Sequence, residues 1–368
     1  MKPNEPDLCD APAAPAKLDE PAPLVADLEL AEETPEALLA LFERRGWGDG
    51  LPLVAPTPPR VDAMLSAGCA AVDPDEVIAH LPPRGGLATR RLLAVNAVLA
   101  GCAPGLLPVL VSAVRALARP ELNLRGVNAT THPVAPLMIV HGSAVDELGF
   151  NAGLGTFGPG CRANATLGRA LRLTLLHVAG ARPGGGDAST QGQPAKYAYC
   201  IAENAAASPW ESYPHSCGVT SESAITLHCG EGPHNFHDME SATPGPLLAK
   251  GASVMATLGS NNAPVSSAEF FVVLGPEHAA TIAGAGWTRR DVQCWLYEKA
   301  RLPARMLRDA FEVTQWRPWL AALDDADAMP VTDHPDHIRV LVAGGPGKHS
   351  CVIPSWGMTR SVTLPIEP

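Results

Sequence analysis

Two neighbouring segments of the chain are apolar on most faces of a helix. They run from Ala88 to Cys102 and from Leu106 to Ala118, and an Ala-Pro-Gly turn separates them. A helix that is apolar on most faces has to be covered by other parts of the protein. Both segments are shorter than the roughly 20 residues that a bilayer requires. The sequence therefore predicts two buried helices and no transmembrane segment.

Short apolar runs alternate with helical patterns along the rest of the chain. Thr34 and Thr288 each precede a helical pattern, and strand-like runs lie at 137–140, 224–230 and 337–343. A later run, SVTLPI at 361–366, is expected to close a sheet edge, and no internal repeat is evident. This alternation predicts an α/β fold with a mixed or parallel sheet and several buried helices rich in small residues.

The domain organisation follows from the distribution of Pro and Ala. Residues 1–30 are rich in Pro, Ala and acidic residues and lack periodicity, which predicts a disordered leader. Residues 31–368 are expected to form one large α/β domain, a length that also allows two intimate halves dividing near 200–240. No signal peptide is recognisable, and nine scattered cysteines without a C-x-x-C pair indicate reduced thiols in the cytoplasm.

The charge balance excludes two classes of partner. The chain has 27 Lys and Arg against 38 Asp and Glu, a formal net charge of −11. Such a chain repels phosphate backbones and anionic lipid, so nucleic acid and membrane surfaces are not expected partners. A metabolic enzyme with a small-molecule substrate fits better, and buried small-residue helices are compatible with a homo-oligomer.

The first candidate site is a Gly-rich loop, 149–160, that leads into a helix. Backbone N–H groups and the helix dipole favour a carboxylate or phosphate at such a start. A thiol in the first turn also gains thiolate character, which makes Cys161 a candidate nucleophile. A tight helix entry with capping residues is the alternative. The expected substrate-binding side chains here are Arg162, Asn164, Thr166 and Arg169.

The second candidate site is a polar cluster on a Gly- and Pro-rich stretch. Its substrate-binding candidates are Arg182, Asp187, Glu203 and Asn204, and Lys196 is a candidate for proton transfer. The alternative is a solvated surface loop held by salt bridges.

The third candidate site is a cluster of metal-ligand types. His228, Cys229, His234 and His237 lie close together in sequence and suit Zn or Fe. A polar turn with ordinary histidines is the alternative. His132 is a further candidate, either as a general base or as a core histidine.

Nucleotide cofactors are not expected. The loop around Gly347-Lys348 follows a strand, but His349 stands where a P-loop needs Ser or Thr. No G-x-G-x-x-G follows a convincing first strand. The sequence therefore predicts no built-in NAD or NTP site.

Seven segments together resemble a bacterial family associated with UGSC proteins, which carry a Sec/Cys-Gly-Ser-Cys motif. The resemblance covers about residues 40–355 and rests on GWGDGLPLVAPT (46–57), NAVLAGCAP (96–104), GCRANATLGRALRL (160–173), ARPGGGD (181–187), QPAKY (193–197), AEN (202–204) and SPWE (208–211). It implies a substrate-holding partner for a redox-active thiol or selenol that cleaves carbon–heteroatom bonds. This chain lacks C-G-S-C, so a partner would have to bring that motif.

The leading hypothesis is an enzyme subunit, a lyase, reductase component or hydrolase, that binds a carboxylate-bearing small molecule for thiol-dependent carbon–heteroatom bond cleavage. A metal-dependent hydrolase or lyase using the His/Cys cluster at 228–238 is one alternative. A non-catalytic substrate-binding or assembly subunit is another.

Overall fold

The computed structural model describes residues 34–67, 72–263, 267–315 and 318–367. The leader predicted for residues 1–30 lies outside these ranges. Among the described residues, no helix combines the length and apolar character needed to cross a membrane. The fold is α/β with mixed sheets, as the sequence predicts.

Helices occupy the positions where the sequence has capping residues and helical patterns. Thr34 accepts a hydrogen bond from the Ala37 N–H, and Gly46 ends that helix with a left-handed conformation. Thr288 forms a capping box with Asp291. The helices are α1 (Pro35–Arg45), α2 (Pro58–Ser66), α3 (Arg90–Ala100), α4 (Leu107–Leu117), α5 (Leu124–Ala129), α6 (Ala144–Glu147), α7 (Arg162–Thr174), α8 (Tyr213–Ser216), α9 (Pro244–Met255), α10 (Pro276–Gly284), α11 (Arg289–Lys299) and α12 (Ala304–Ala310).

The strands form two four-stranded sheets and two two-stranded sheets. They are β1 (Val77–Leu81), β2 (Gly86–Thr89), β3 (Ala135–Gly142), β4 (Cys200–Ala202), β5 (Ser223–Gly230), β6 (His234–His237), β7 (Phe270–Leu274), β8 (Arg301–Pro303), β9 (Ala328–Pro330), β10 (Ile338–Val342), β11 (His349–Pro354) and β12 (Val362–Pro365). The first sheet has the order β12-β5-β3-β4 and the second β10-β7-β11-β6. The two-stranded sheets are β1-β2 and β8-β9.

The two large sheets pack face to face, and helices cover their outer faces. Alternate side chains of a strand point to opposite faces of its sheet. Leu137 and Ile139 of β3 therefore meet Phe271 and Val273 of β7 in a core between the sheets. The side chains between them pack outwards, Met138 against the core around α3, α4 and α7, and Val272 against the core around α9 to α12. The result is a helix–sheet–sheet–helix arrangement.

The order of strands repeats between the two sheets, although the sequence shows no internal repeat. In each sheet a central strand, β3 or β7, has a parallel neighbour on one side and an antiparallel neighbour on the other. The two sheets also exchange an edge strand. β6 follows β5 in sequence but pairs with β11 of the second sheet, and β12 follows β11 in sequence but pairs with β5 of the first sheet. The prediction that 361–366 closes a sheet edge is confirmed.

Both apolar segments predicted to be buried helices form buried helices, α3 and α4. α4 is buried along nearly its whole length, from Leu107 to Leu117. α3 begins at Arg90 and not at Ala88, because residues 86–89 pair with β1 as a hairpin strand. Leu53, Val54 and Ala55 form a short apolar run that is not part of any strand. Leu53 and Ala55 pack on the helical core.

Candidate functional site

A cavity of about 720 Å³ lies where three parts of the chain meet. They are the turn at Gly48-Asp49, the C-terminal half of α7 with Arg172, and the loop from Arg182 to Tyr197. The loop takes this course because Gly184 and Gly192 adopt positive φ angles, which only glycine adopts at little cost. The cavity therefore contains most of the second candidate site predicted from the sequence.

Asp187 connects the walls of this cavity. Its carboxylate accepts two hydrogen bonds from the Lys196 Nζ, at 2.8 and 2.6 Å, and one from the Arg172 Nη2 at 3.1 Å. The Ser189 backbone N–H is a further donor. Burial alone would raise the pKa of Asp187, but its hydrogen bond and ion pair with Lys196 outweigh burial and lower it. Asp187 is thus an ionised carboxylate that is only 4% exposed.

Lys196 is held in a largely buried position beside Asp187. Its ammonium group also donates to the Ser189 Oγ at 2.6 Å, and that hydroxyl donates to the His132 carbonyl at 2.8 Å. Burial lowers the pKa of Lys196, and the attraction of Asp187 opposes this shift without cancelling it. A lysine in this environment releases its proton more readily than one in water.

Arg182 differs from the other cations of the cavity. Burial lowers the pKa of its guanidinium, and the positive charges of Arg84 and Arg172 lower it further. Within the part of the chain that the structure describes, no carboxylate pairs with Arg182. The cavity therefore holds a guanidinium group whose charge no carboxylate of the described residues compensates.

Asp49 also lines the cavity and forms a separate ion pair there. Both of its oxygens accept from the Arg169 guanidinium, at 2.7 and 2.8 Å, and Arg169 also donates to the Leu51 carbonyl. Burial acts to raise the pKa of Asp49, but the hydrogen bond and charge of Arg169 lower it overall. The predicted substrate-binding residue Arg169 thus fixes the 48–51 turn.

The first candidate site lies at the other end of α7. The rise of 1.5 Å per residue puts Arg162 about 15 Å from Arg172 along the helix axis. Arg162 donates to the Gly101 and Cys102 carbonyls, and Asn164 exchanges hydrogen bonds with the Asn151 backbone. Thr166 donates to the Arg162 carbonyl, and the Cys161 thiol to the Gly149 carbonyl. Asn164 and Cys161 hold the Gly-rich loop in place, Arg162 binds the end of α3, and the structure does not bring these side chains together with Arg182.

Glu203 and Asn204 lie in a third place, where strands of the two sheets end. The Glu203 carboxylate accepts from the His141 Nδ1 at 2.8 Å and from the Tyr213 N–H. Asn204 donates to the Gly344 carbonyl, and its backbone N–H to the Val342 carbonyl. Asn204 thus connects the first sheet to the end of β10, whereas Glu203 binds β3 and α8, and neither residue lines the 720 Å³ cavity.

The four predicted metal ligands do not converge. His228 points between the sheets, where its Nδ1 meets the Ser361 hydroxyl, whereas Cys229 packs on the opposite face of β5. His234 meets Glu231, and His237 lies beside His349 with ring centroids 5.7 Å apart. In the described ranges, no three His, Cys, Asp or Glu side chains are arranged to hold a metal. Alternation along β5 separates the first two ligands, a point that the spacing in sequence does not reveal.

His132 lies apart from Lys196 and pairs with Glu231, its Nε2 being 3.0 Å from the Glu231 Oε1. Only its backbone carbonyl reaches the 720 Å³ cavity, through Ser189.

Sequence reasoning did not assign a role to Asp49, Arg172 or Ser189. Arg172 had a detectable signal, since it follows Arg169 by three residues and so shares a face of α7 with it. Asp49 had none, because its partner Arg169 is distant in sequence, whereas Ser189 lies only two residues from Asp187 and seven from Lys196.

Comparisons of the chain with protein-family models, curated proteins and solved structures give no significant match.

Proposed function

We propose that the chain is an enzyme subunit that binds a small carboxylate- or phosphate-bearing molecule in the 720 Å³ cavity. The observation that carries this proposal is Arg182, a partly buried guanidinium for which the described residues supply no carboxylate. A ligand anion is the missing partner, and a charged, bidentate hydrogen bond to Arg is among the stronger polar contacts in proteins.

The other charges of the cavity favour the same ligand. Arg172 and Lys196 share Asp187, and Asp49 is already engaged by Arg169. Both acidic side chains of the lining are therefore neutralised before any ligand arrives. The remaining charge is positive, and in a partly desolvated cavity it attracts an anion more strongly than it would in water.

The rest of the cavity wall points to a compact ligand with an apolar part. Tyr197 is 53% exposed, and Leu176, Pro183 and Pro194 add further apolar surface. A volume of about 720 Å³ lies within the range of roughly 300–1,000 Å³ that small-molecule sites occupy. We infer that Arg182 binds the anionic group while Tyr197 and the prolines cover the body of the substrate.

The proposed reaction is thiol-dependent cleavage of a carbon–heteroatom bond, with the thiol or selenol supplied by a C-G-S-C partner. None of the cysteines in the described residues lines the cavity. The chain would hold the substrate while the partner's thiolate or selenolate displaces the heteroatom group, so that a carbon–sulfur or carbon–selenium bond forms as the carbon–heteroatom bond breaks. Lys196, with its lowered pKa, would donate a proton to the departing group. The free thiols of the described residues suit the reducing cytoplasm, where we expect this activity.

The first test is anion binding by an Arg182→Ala variant. Calorimetric titration with benzoate, succinate and inorganic phosphate should reveal binding of at least one anion by the wild type, and no binding of the neutral benzamide. Loss of a charged hydrogen bond, about 1.5–3 kcal/mol, predicts a decrease in affinity of roughly 10- to 150-fold in the variant.

The matched control is Arg305→Ala, because Arg305 is 81% exposed and lies outside the cavity. Its affinity should equal that of the wild type. Equal affinities of the Arg182→Ala variant and the wild type, or binding of benzamide as tight as that of benzoate, would contradict the proposal.

A further inference from the structure

The positive charges of the 720 Å³ cavity outnumber its negative charges. Its lining contains three cations and two carboxylates, namely Arg172, Arg182, Lys196, Asp49 and Asp187. Asp49 is already neutralised by Arg169, so Asp187 is the one carboxylate that remains for the three cations of the lining. Among the described residues, the cavity thus keeps two positive charges without a counter-charge.

Two guanidinium groups lie near each other on the cavity wall. The Arg172 Nη2 donates to the Ala181 carbonyl at 3.2 Å, one residue before Arg182. Burial, together with the positive charges of Arg84 and Arg172, lowers the pKa of Arg182. Within the described ranges the Arg182 side chain donates no hydrogen bond, and none of its nitrogens is among the unpartnered atoms that the fold seals from solvent. A ligand in the cavity can therefore reach the Arg182 guanidinium.

The loop of the cavity adds backbone donors beside these cations. Gln191, Gly192 and Gln193 line the cavity, and their N–H groups donate to no acceptor among the described residues. Gly192 has a φ of +67°, and a Cβ on it would lie 3.7 Å from the Lys196 Cδ, so this turn packs beside the Lys196 side chain. Successive N–H groups of a turn are a common anion-binding element.

These donors and charges select the head group of the ligand. A phosphate monoester carries about −1.5 to −2 charges at pH 7 and three acceptor oxygens. A carboxylate carries a single charge on two oxygens. We propose that the substrate of this cavity is a phosphate monoester, whose head group binds to Arg182, Arg172 and the N–H groups of 191–193. This inference rests on the proposed function and narrows the ligand from any small anion to one with a dianionic head group.

The test is calorimetric titration of the full chain with phenyl phosphate, methyl phenyl phosphate, benzoate and succinate at pH 8, where the phosphate monoester is a dianion. Phenyl phosphate and its methyl diester share the ring and the phosphorus, but the diester has one charge less and one terminal oxygen less. The wild type should bind phenyl phosphate about tenfold or more tightly than the diester, because the monoester accepts one more charged hydrogen bond.

An Arg182→Gln variant removes one of the two uncompensated charges. It should bind phenyl phosphate about tenfold or more weakly than the wild type, and its preference for the monoester over the diester should decrease. The matched control is Arg305→Gln, which removes one positive charge at an 81% exposed side chain outside the cavity. Its affinities for both esters should equal those of the wild type.

A second measurement uses the wild type alone, in case the Arg182→Gln variant fails to fold. ³¹P NMR of phenyl phosphate reports the second ionisation of its head group, which lies near a pKa of about 6 in phosphate esters. A preference of about tenfold for the dianion lowers the pKa of the bound ester by about one pH unit. No histidine of the described residues lines the cavity, so this change reports on the ligand.

The outcomes distinguish the phosphate assignment from the proposed function. No binding of any of the four anions up to about 10 mM would overturn both. Benzoate binding that Arg182→Gln weakens, without tighter binding of phenyl phosphate than of its diester, would overturn the phosphate assignment alone. Tighter binding of succinate than of phenyl phosphate, or an unchanged pKa of the bound ester, would overturn that assignment as well.

Discussion

Replacing Asp187 with Asn should destabilise the protein more than any exposed charge substitution. The carboxylate is 4% exposed and accepts from Lys196 and Arg172, whose side chains are 13% and 12% exposed. The variant leaves two largely buried cations without their counter-charge. Removing one partner of such a buried pair costs about 3–5 kcal/mol.

Urea denaturation, followed by tryptophan fluorescence at pH 7, measures this loss as a lower midpoint of unfolding. The control is Asp309→Asn, which removes a carboxylate from an exposed pair with Arg305 at 4.0 Å. An exposed pair of this kind contributes about 0–1 kcal/mol, so the control should unfold within that margin of the wild type.

The dependence on pH adds a second condition. The pKa of Asp187 is lower in the folded protein than its ordinary value of about 4. Its contribution to stability is therefore complete above about pH 4 and is lost as the pH falls through the folded-state pKa. The difference between the wild type and the Asp187→Asn variant should be constant from pH 7 to pH 5 and decrease in stronger acid. A difference below about 1 kcal/mol at pH 7, or one that grows in acid, would refute the assignment of Asp187 as the buried counter-ion of Lys196 and Arg172.

Three further perturbations test other parts of the fold. Burial lowers the folded-state pKa of both His177 and His228 to about 4, so the stability due to their neutral rings is complete above about pH 6.5 and should fall by up to about 3 kcal/mol per ring as the pH drops to 4. A His228→Gln variant should lose less stability over that interval in urea titrations, and an unchanged slope would contradict the burial argument. Gly142 has a φ of +78°, and a Cβ there would lie 1.9 Å from the Glu222 carbonyl oxygen, whereas a Cβ at Gly149, φ +69°, meets nothing within 4 Å. Gly142→Ala should therefore lower the midpoint of thermal unfolding well beyond the effect of Gly149→Ala, for which only the left-handed backbone costs about 1–2 kcal/mol; equal midpoints would count against the close packing of β3 on β5. Among the described cysteines, iodoacetamide should alkylate the exposed Cys217 before Cys229 and Cys351, whose thiol pKa values burial raises to about 12; peptide mapping by mass spectrometry that found the buried pair labelled first would contradict their placement.

The helices and most strands of the fold are predictable because their signals are local. Thr34 and Thr288 each indicate the start of a helix, because each caps a backbone N–H only three residues away. The buried strands are continuous apolar runs. The duplicated strand order is not predictable in this way. It depends on which strands pair, and β12 pairs with β5 across a long stretch of sequence that leaves no pattern in either strand.

The candidate sites also differ in whether the contacts that form them are local in sequence. Arg182, Asp187 and Lys196 share one loop, so their association is visible in the sequence. The Gly-rich loop at 149–160 and the cluster at 228–238 have convincing compositions, but hydrogen bonds to distant backbone groups engage the first, and strand alternation separates the ligands of the second. Asp49 lines the cavity far in sequence from that loop, and its partner Arg169 is also distant from it in sequence. Composition indicates which side chains are available, and only the packing decides which of them meet.

The exchange of edge strands between the sheets has a consequence for how the protein is made. When Ser223–Gly230 leaves the ribosome, the strand that will cover its free edge, Val362–Pro365, has not yet been synthesised. Until then the first sheet exposes an unpaired edge, which is a template for pairing with other chains. The part of the chain that ends with β6 also supplies His234–His237 to the second sheet, whose other strands have not yet been synthesised. A cut between β6 and α9 separates each sheet from one of its edge strands, so we expect it to yield two fragments that aggregate when made separately and recover the native structure only when they are made together.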